Sequence, residues 1–238
     1  MQALGRVDQI WPWLARHHGE LMAVEAPHAT HPEQFSYREL ADRIARAAVA
    51  FTALGIRSGD VVGLFAENSP RWLVADQGLM RAGAVDAVRG AAAPVEELRY
   101  ILDDCGAVAL VVQNAELWRR LALPAELCAR LRFVLLLEGE APEGVLGFEA
   151  FLAEAEGQAP IDPAAGRERA TAATTTATIL YTSGTTGQPK GVPLSHGNLL
   201  HQMRCLACVA RPEPGAPVLS VLPIWHAYER SAEYYFFS

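Results

Sequence analysis

Ten consecutive residues, Thr182-Ser183-Gly184-Thr185-Thr186-Gly187-Gln188-Pro189-Lys190-Gly191, hold three glycines, four hydroxyl side chains and the sole lysine of the chain. Glycines let backbone N–H groups approach phosphate oxygens, hydroxyls add hydrogen bonds or reach a metal carried on the phosphates, and an ammonium neutralises charge. The segment therefore suits a polyphosphate. All but one of the 20 basic residues are Arg, so Lys190 stands where a compact, flexible point charge serves better than a planar fork. The segment is not a Walker A loop: five residues after Gly184 comes Pro189, where that loop has its second glycine, and Gly191 follows Lys190 in place of Ser or Thr.

A second group of chemically capable residues is Leu222-Pro223-Ile224-Trp225-His226-Ala227-Tyr228-Glu229-Arg230. Taken alone, His226 reads as a structural histidine, and Trp225 and Tyr228 as either channel lining or core. Glu229 reads as a helix N-terminal charge and Arg230 as a solvated or phosphate-facing cation. His201, Cys205 and Cys208 share a helix face, but with no fourth ligand or second Cys-x-x-Cys they read as packing residues and not as a zinc site. Asp103 and Asp104, although paired carboxylates, read as a solvated helix end.

These groups need elements to hold them. Ser36 and Glu39 have capping-box spacing, and Leu40, Ile44, Ala47, Phe51 and Leu54 recur at helical intervals up to Gly55. The apolar run 61–66 predicts a buried strand. Ser69 and Pro70 open a helix that Gly83 closes. The alternation continues with strands over 85–88, 108–112 and 133–137, and helices over 94–105, 116–123 and 147–156. Apolar strands alternating with amphipathic helices predict an α/β fold, a layered α/β/α arrangement with mostly parallel sheets. No fixed-period repeat is present.

Residues 1–34 form a lead-in, 35–156 a first α/β unit, and 157–176, rich in Pro, Ala, Thr and Glu, a surface linker. A second unit, 177–238, opens with a strand over 178–181 that runs into the glycine–threonine loop. A helix follows from Ser195 with Leu199, Met203 and Leu206 on one face, then a strand over 217–222 and a loop over 223–228. The final run Tyr234-Tyr235-Phe236-Phe237-Ser238 has no capping residue, which predicts a chain that stops inside a domain.

With 238 residues, 51% hydrophobic and 20% charged, the chain can bury a substantial core. A net charge of -7 argues against a nucleic-acid partner. No apolar run reaches the ~18 residues of a membrane span and no leader is visible after Met1, so the chain reads as cytoplasmic. Four cysteines in this length do not make a disulfide framework.

Tyr181 to Gly191, continuing without a gap through Val192-Pro193-Leu194-Ser195-His196-Gly197-Asn198, resembles the phosphate-loop signature of the adenylate-forming superfamily, which contains acyl-CoA synthetases, luciferases and peptide-synthetase adenylation domains. Residues 222–230 are similar to the aromatic–histidine motif of long-chain acyl-CoA synthetases, in the branch that includes acyl–acyl carrier protein synthetases. Ile56 to Val62, Glu67-Asn68-Ser69, and Gly83 to Asp86 with Arg89-Gly90 resemble the same branch.

The resemblance implies the N-terminal part of an ATP-dependent ligase that makes an acyl-adenylate from a fatty acid and passes the acyl group to the thiol of coenzyme A or acyl carrier protein. It implies ATP and Mg²⁺ as cofactors, Ser183 to Gly191 around the β- and γ-phosphates, Lys190 as mobile counter-charge, and Thr182 on the Mg²⁺-ATP group. It further implies His226 near the carboxylate and α-phosphate, Trp225 and Tyr228 at the acyl entrance, and peripheral membrane contact through the fatty acid. Some relatives place a gating aromatic where this chain has Arg230. The isolated chain is expected to be inactive, since the adenine contacts, a Mg²⁺ glutamate and a catalytic lysine would lie downstream. The alternatives are a non-catalytic nucleotide-binding remnant, and a ligase for an aryl or short-chain acid.

Overall fold

A computed structural model describes residues 4–29, 32–159, 173–182 and 188–238. It begins with a 3-10 turn at Val7–Gln9, helix α1 (Ile10–His17) and a small antiparallel hairpin, β1 (Met22–Ala26) with β2 (Glu33–Ser36). These lead into α2 (Tyr37–Ala53), where the expected capping box forms: the Ser36 hydroxyl accepts from the Glu39 amide, and the Glu39 carboxylate accepts from the Ser36 amide at 2.8 Å. β3 (Val61–Phe65) follows, then α3 (Pro70–Ala82), whose first turn is capped by Ser69 and whose end is turned by Gly83 at φ 83°. That left-handed geometry favours a residue without Cβ.

The alternation continues through β4 (Val85–Arg89), α4 (Val95–Asp104), β5 (Ala109–Val112), α5 (Ala115–Leu121), α6 (Ala125–Arg130), β6 (Val134–Leu136), β7 (Leu146–Gly147) and α7 (Phe148–Ala153). β8 (Thr176–Thr182), β9 (Lys190–Ser195), α8 (His196–Leu206) and α9 (Ala227–Phe237) complete the described elements.

Seven strands form one sheet in the order β7-β6-β5-β3-β4-β8-β9. The pairings from β7 to β8 are parallel and β9 closes the edge antiparallel to β8. The strand expected to open a second unit thus lies in this sheet beside β4, with Ala87 opposite Ile179. Much of the linker, 160–172, lies outside the described residues.

β3 and β5 are apolar on both faces because helices cover both, which is why they read as continuous runs, whereas β4 carries the buried Asp86. One core, holding Ile44, Phe51, Trp72, Met80, Leu199 and Tyr234, joins the sheet to α1–α3, α7, α8 and α9; a second, holding Leu98, Ile101, Leu117 and Leu136, joins it to α4 and α5. The layered α/β/α reading therefore stands. Among the described residues no helix is long and apolar enough to cross a membrane.

One expected element is corrected. Residues 217–222 form no strand, and Leu219 is 84% exposed. Their apolar composition asks for a sheet, but they pair with no strand among the described residues, and without a paired neighbour the backbone groups of a strand go unsatisfied.

α2 and α3 approach closely because Gly78 faces Ala47: a Cβ built on Gly78 would lie 2.7 Å from the Ala47 Cβ. Gly78→Val is accordingly expected to lose about 1–3 kcal/mol through overpacking, read as a lower urea midpoint in circular dichroism.

Candidate functional site

The carboxyl ends of β3, β4 and β8 lie at one edge of the sheet, where open α/β sheets bind their ligands. β8 and β9 pair with Thr182 opposite Lys190. Residues directly opposite in an antiparallel pair project to the same face, so a hydroxyl and the lone ammonium sit side by side at the mouth of the 183–189 segment. Both are exposed, and Lys190 takes part in none of the ion pairs among the described residues. Gln188 and Gly191 are exposed and Pro189 is half-buried. Ser183, Gly184, Thr185, Thr186 and Gly187 lie outside the described residues.

Asn68, just after β3, holds the second motif. Its side-chain nitrogen donates to the Leu222 carbonyl at 2.8 Å and to the Ser220 hydroxyl at 3.2 Å, and its oxygen accepts from the Ile224 amide at 3.0 Å. Gly90, just after β4, makes room for Trp225: a Cβ there would lie 2.5 Å from the indole. His226 is exposed, is the N-cap residue of α9, and accepts the Arg230 amide on its backbone oxygen. Its ring centroid lies 6.5 Å from that of Trp225. Trp225 is half-buried against the core, whereas Tyr228 is 68% exposed.

Arg230 departs most from expectation. It is neither solvated nor aimed at an open phosphate site but fully buried, 0% exposed. Its guanidinium contacts Asp76 of α3, Asp86 of β4 at 2.7 Å, the Thr178 hydroxyl of β8 at 2.6 Å and the Tyr234 hydroxyl at 2.7 Å, with its carbon 5.2 Å from the Trp72 ring centroid. The Tyr234 hydroxyl donates to Asp76, and Gln77 links Asp76 to the Trp11 indole. Burial, with Asp76 adding to it against the pull of Arg230, pushes Asp86 well above the usual carboxylate range. Burial alone would lower Arg230, yet the two aspartates hold it well above its ordinary value.

The site also contains Glu229, which is in the first turn of α9 as expected, is buried, and accepts from Ser220 at 2.7 Å. His201, Cys205 and Cys208 do not pack; all three are exposed, and the Cys205 thiol lies 3.6 Å from His201 Nε2. Among the described residues no three metal-ligating side chains converge, and all four cysteines are free. Asp103 and Asp104 are exposed as expected, although Asp104 also accepts from the Tyr181 hydroxyl at 2.7 Å. A cleft of about 1020 Å³ lies under the 211–220 segment against β1, α3 and α9; Thr182, Lys190, Trp225, His226 and Tyr228 do not line it.

The sequence matches the family described as AMP-binding enzyme over residues 12–238. The chain belongs to the AMP-binding enzyme family. Among its relatives in that family is a chloroplastic long-chain-fatty-acid–[acyl-carrier-protein] ligase of Arabidopsis thaliana, 39% identical over 245 residues that cover 98% of this chain and 34% of that ligase. Another is a long-chain-fatty-acid–CoA ligase of Mycobacterium tuberculosis, 33% identical over 198 residues, 81% of this chain and 32% of the relative. The chain thus spans about a third of the length of these curated relatives. A crystal structure of a long-chain-fatty-acid-CoA ligase from Archaeoglobus fulgidus superposes with a TM-score of 0.78 at 23% identity, covering 98% of this chain and 45% of that one, so the AMP-binding chain shares its fold.

Asn68→Ala in this AMP-binding chain removes both the donor and the acceptor that pin the 220–224 loop. With each neutral hydrogen bond contributing about 1 kcal/mol, chymotryptic cleavage after Trp225 is expected to speed up roughly tenfold or more, followed by mass spectrometry. Glu233 gives a pH signature. Burial pushes its carboxyl from 4.5 up to about 7 in the folded chain. Between these values the folded chain keeps a proton that the unfolded chain has released, so this group's contribution to stability falls as pH rises from 4.5 to about 7 and then levels. Glu233→Gln is expected to remove that decline from a series of denaturant melts across the window.

Proposed function

We propose that this chain is the N-terminal part of an AMP-forming ligase for long-chain fatty acids. A fatty carboxylate attacks the α-phosphorus of ATP, giving an acyl-adenylate and pyrophosphate; a thiol then displaces AMP and leaves with the acyl group as a thioester. The observation that carries this reading is the β8–β9 pairing, with Lys190 and Thr182 on one face at the carboxyl edge of a parallel sheet. An ammonium in no ion pair among the described residues, beside a hydroxyl, suits a Mg²⁺-bound triphosphate, and no protein cage for the metal is needed if it arrives on the nucleotide. When bound, Mg²⁺ supplies charge neutralisation on the phosphates.

The chain's own residues then have distinct tasks. Lys190 and the N–H groups and hydroxyls of Ser183 to Gly191 hold the β- and γ-phosphates, and Thr182 faces the metal–phosphate group. His226, exposed at the N-cap of α9, orients the carboxylate toward the α-phosphate. Trp225 forms a fixed wall against Gly90 for the acyl chain, with Tyr228 beyond it. Catalysis of this kind is positioning and electrostatics rather than covalent participation. The family match and the fatty-acid ligases among the relatives support the substrate class. The higher identity to the carrier-protein ligase supports acyl carrier protein as acceptor over coenzyme A. In this reading the enzyme is cytoplasmic and draws its fatty acid from solution or a bilayer surface.

The test is ATP–pyrophosphate exchange with palmitate and a panel of aryl and short-chain acids, using the complete reading frame that contains these residues. Palmitate-dependent exchange is expected, and Lys190→Ala is expected to lower it by about 10²–10³-fold, the range for loss of one preorganised charge-stabilising group. An intact frame that exchanges with none of the acids, or an alanine variant at full rate, overturns the assignment.

A further inference from the structure

Arg230 lies on α9 one turn after His226, and its side chain ends on Thr178, four residues before Thr182 on β8. Those spacings correspond to about 6 Å of helix and about 13 Å of strand. The guanidinium also grips α3 through Asp76 and β4 through Asp86. One planar group with five donors in a fixed fork thus joins the helix that presents His226 to the strand that ends at Thr182. Asn68 and Gly90 seat the 220–225 loop from the other side. Among the described residues, the Arg230–Thr178 contact is the side-chain hydrogen bond that ties α9 to β8.

We propose that Arg230 is a positioning residue: through Thr178 it sets the placement of the His226 turn relative to the end of the phosphate-loop strand, so that the two halves of the adenylation site act on one substrate. This rests on the function proposed above. Arg230 touches no reacting atom. Its contribution is to hold a carboxylate-orienting group and a phosphate-holding group at a fixed separation, where a displacement of about 1 Å is enough to slow chemistry about 100-fold.

Thr178→Val removes the hydroxyl that Arg230 reaches while keeping the β-branched shape of the strand residue, and Thr178→Ser restores the hydroxyl. Both are compared with the parent in the complete reading frame by three measurements: palmitate-dependent exchange kinetics, thermal midpoint, and amide hydrogen exchange at Ile224, His226 and Arg230. For Thr178→Val, kcat is expected to fall at least tenfold with KM for ATP within twofold. Exchange at the three amides is expected to rise while the amides of α2 and α3 keep their protection. Thr178→Ser is expected to recover most of both. Arg230→Lys, which keeps the charge but cannot reach all four partners together, is expected to reproduce the kcat loss.

Parental kcat and parental protection in Thr178→Val overturn the proposal. So does activity lost only in proportion to unfolding, with protection lost evenly across the chain. If the parent shows no adenylation of any acid, the proposed function fails by itself; the tie between α9 and β8 is then decided by the amide exchange alone.

Discussion

A guanidinium buried between two carboxylates organises this molecule. Asp76 and Asp86 come from a helix and a strand in the first half of the chain, and Arg230 from the last described helix. Taking three ionisable groups out of water is expensive, and the attraction between them repays that only when geometry and accessory hydrogen bonds are good. Here Thr178, Tyr234 and Gln77 supply those bonds. Removing one member of such a set leaves an uncompensated charge, a loss of about 3–5 kcal/mol. The position of α9 is therefore specified by electrostatics as well as by the packing of Tyr234 and Tyr235.

The consequence for the candidate site is that its parts are positioned by different means. Thr182 and Lys190 are fixed by sheet register. The 220–225 loop is fixed by the amide of Asn68 and by the space that Gly90 leaves for an indole. His226 is fixed by its place at the start of a helix whose next turn is locked underneath. Each device acts at the carboxyl edge of the sheet, where strand ends meet loops and backbone groups are free to bind. The apolar 217–222 segment and the cleft beneath it lie beside this arrangement, and the segment pairs with no strand among the described residues.

Much of this was legible in the residues. Ser36 with Glu39, and Ser69 with Pro70 and Gly83, mark helix ends through local hydrogen bonding and backbone geometry, so their reading needed no knowledge of the fold. Arg230 was misread because local sequence makes a charged residue after a histidine look solvated. The missed signal was on the partners: Asp76 falls on the apolar stripe of Trp72, Leu73, Leu79 and Met80, and Asp86 interrupts an apolar strand. Two acids at core-facing positions call for a partner inside the fold, and here that partner is Arg230. The strand expected over 217–222 failed for the opposite reason, since alternation and β-branching describe a preference that only a neighbouring strand can satisfy.

The sequence by itself determined the alternation of strands and helices, their caps, and the chemical character of the glycine–threonine segment, because each depends on side chains and backbone within a few residues. It also determined family membership, through motifs that run without gaps over those short spans. Only the tertiary structure decided that β8 joins the sheet beside β4, that Asn68 and Gly90 serve the loop that carries His226, and that Arg230 is interior. Those facts depend on residues 92 to 158 positions apart meeting in space, and burial and charge pairing at such separations are properties of the packed chain rather than of any local stretch.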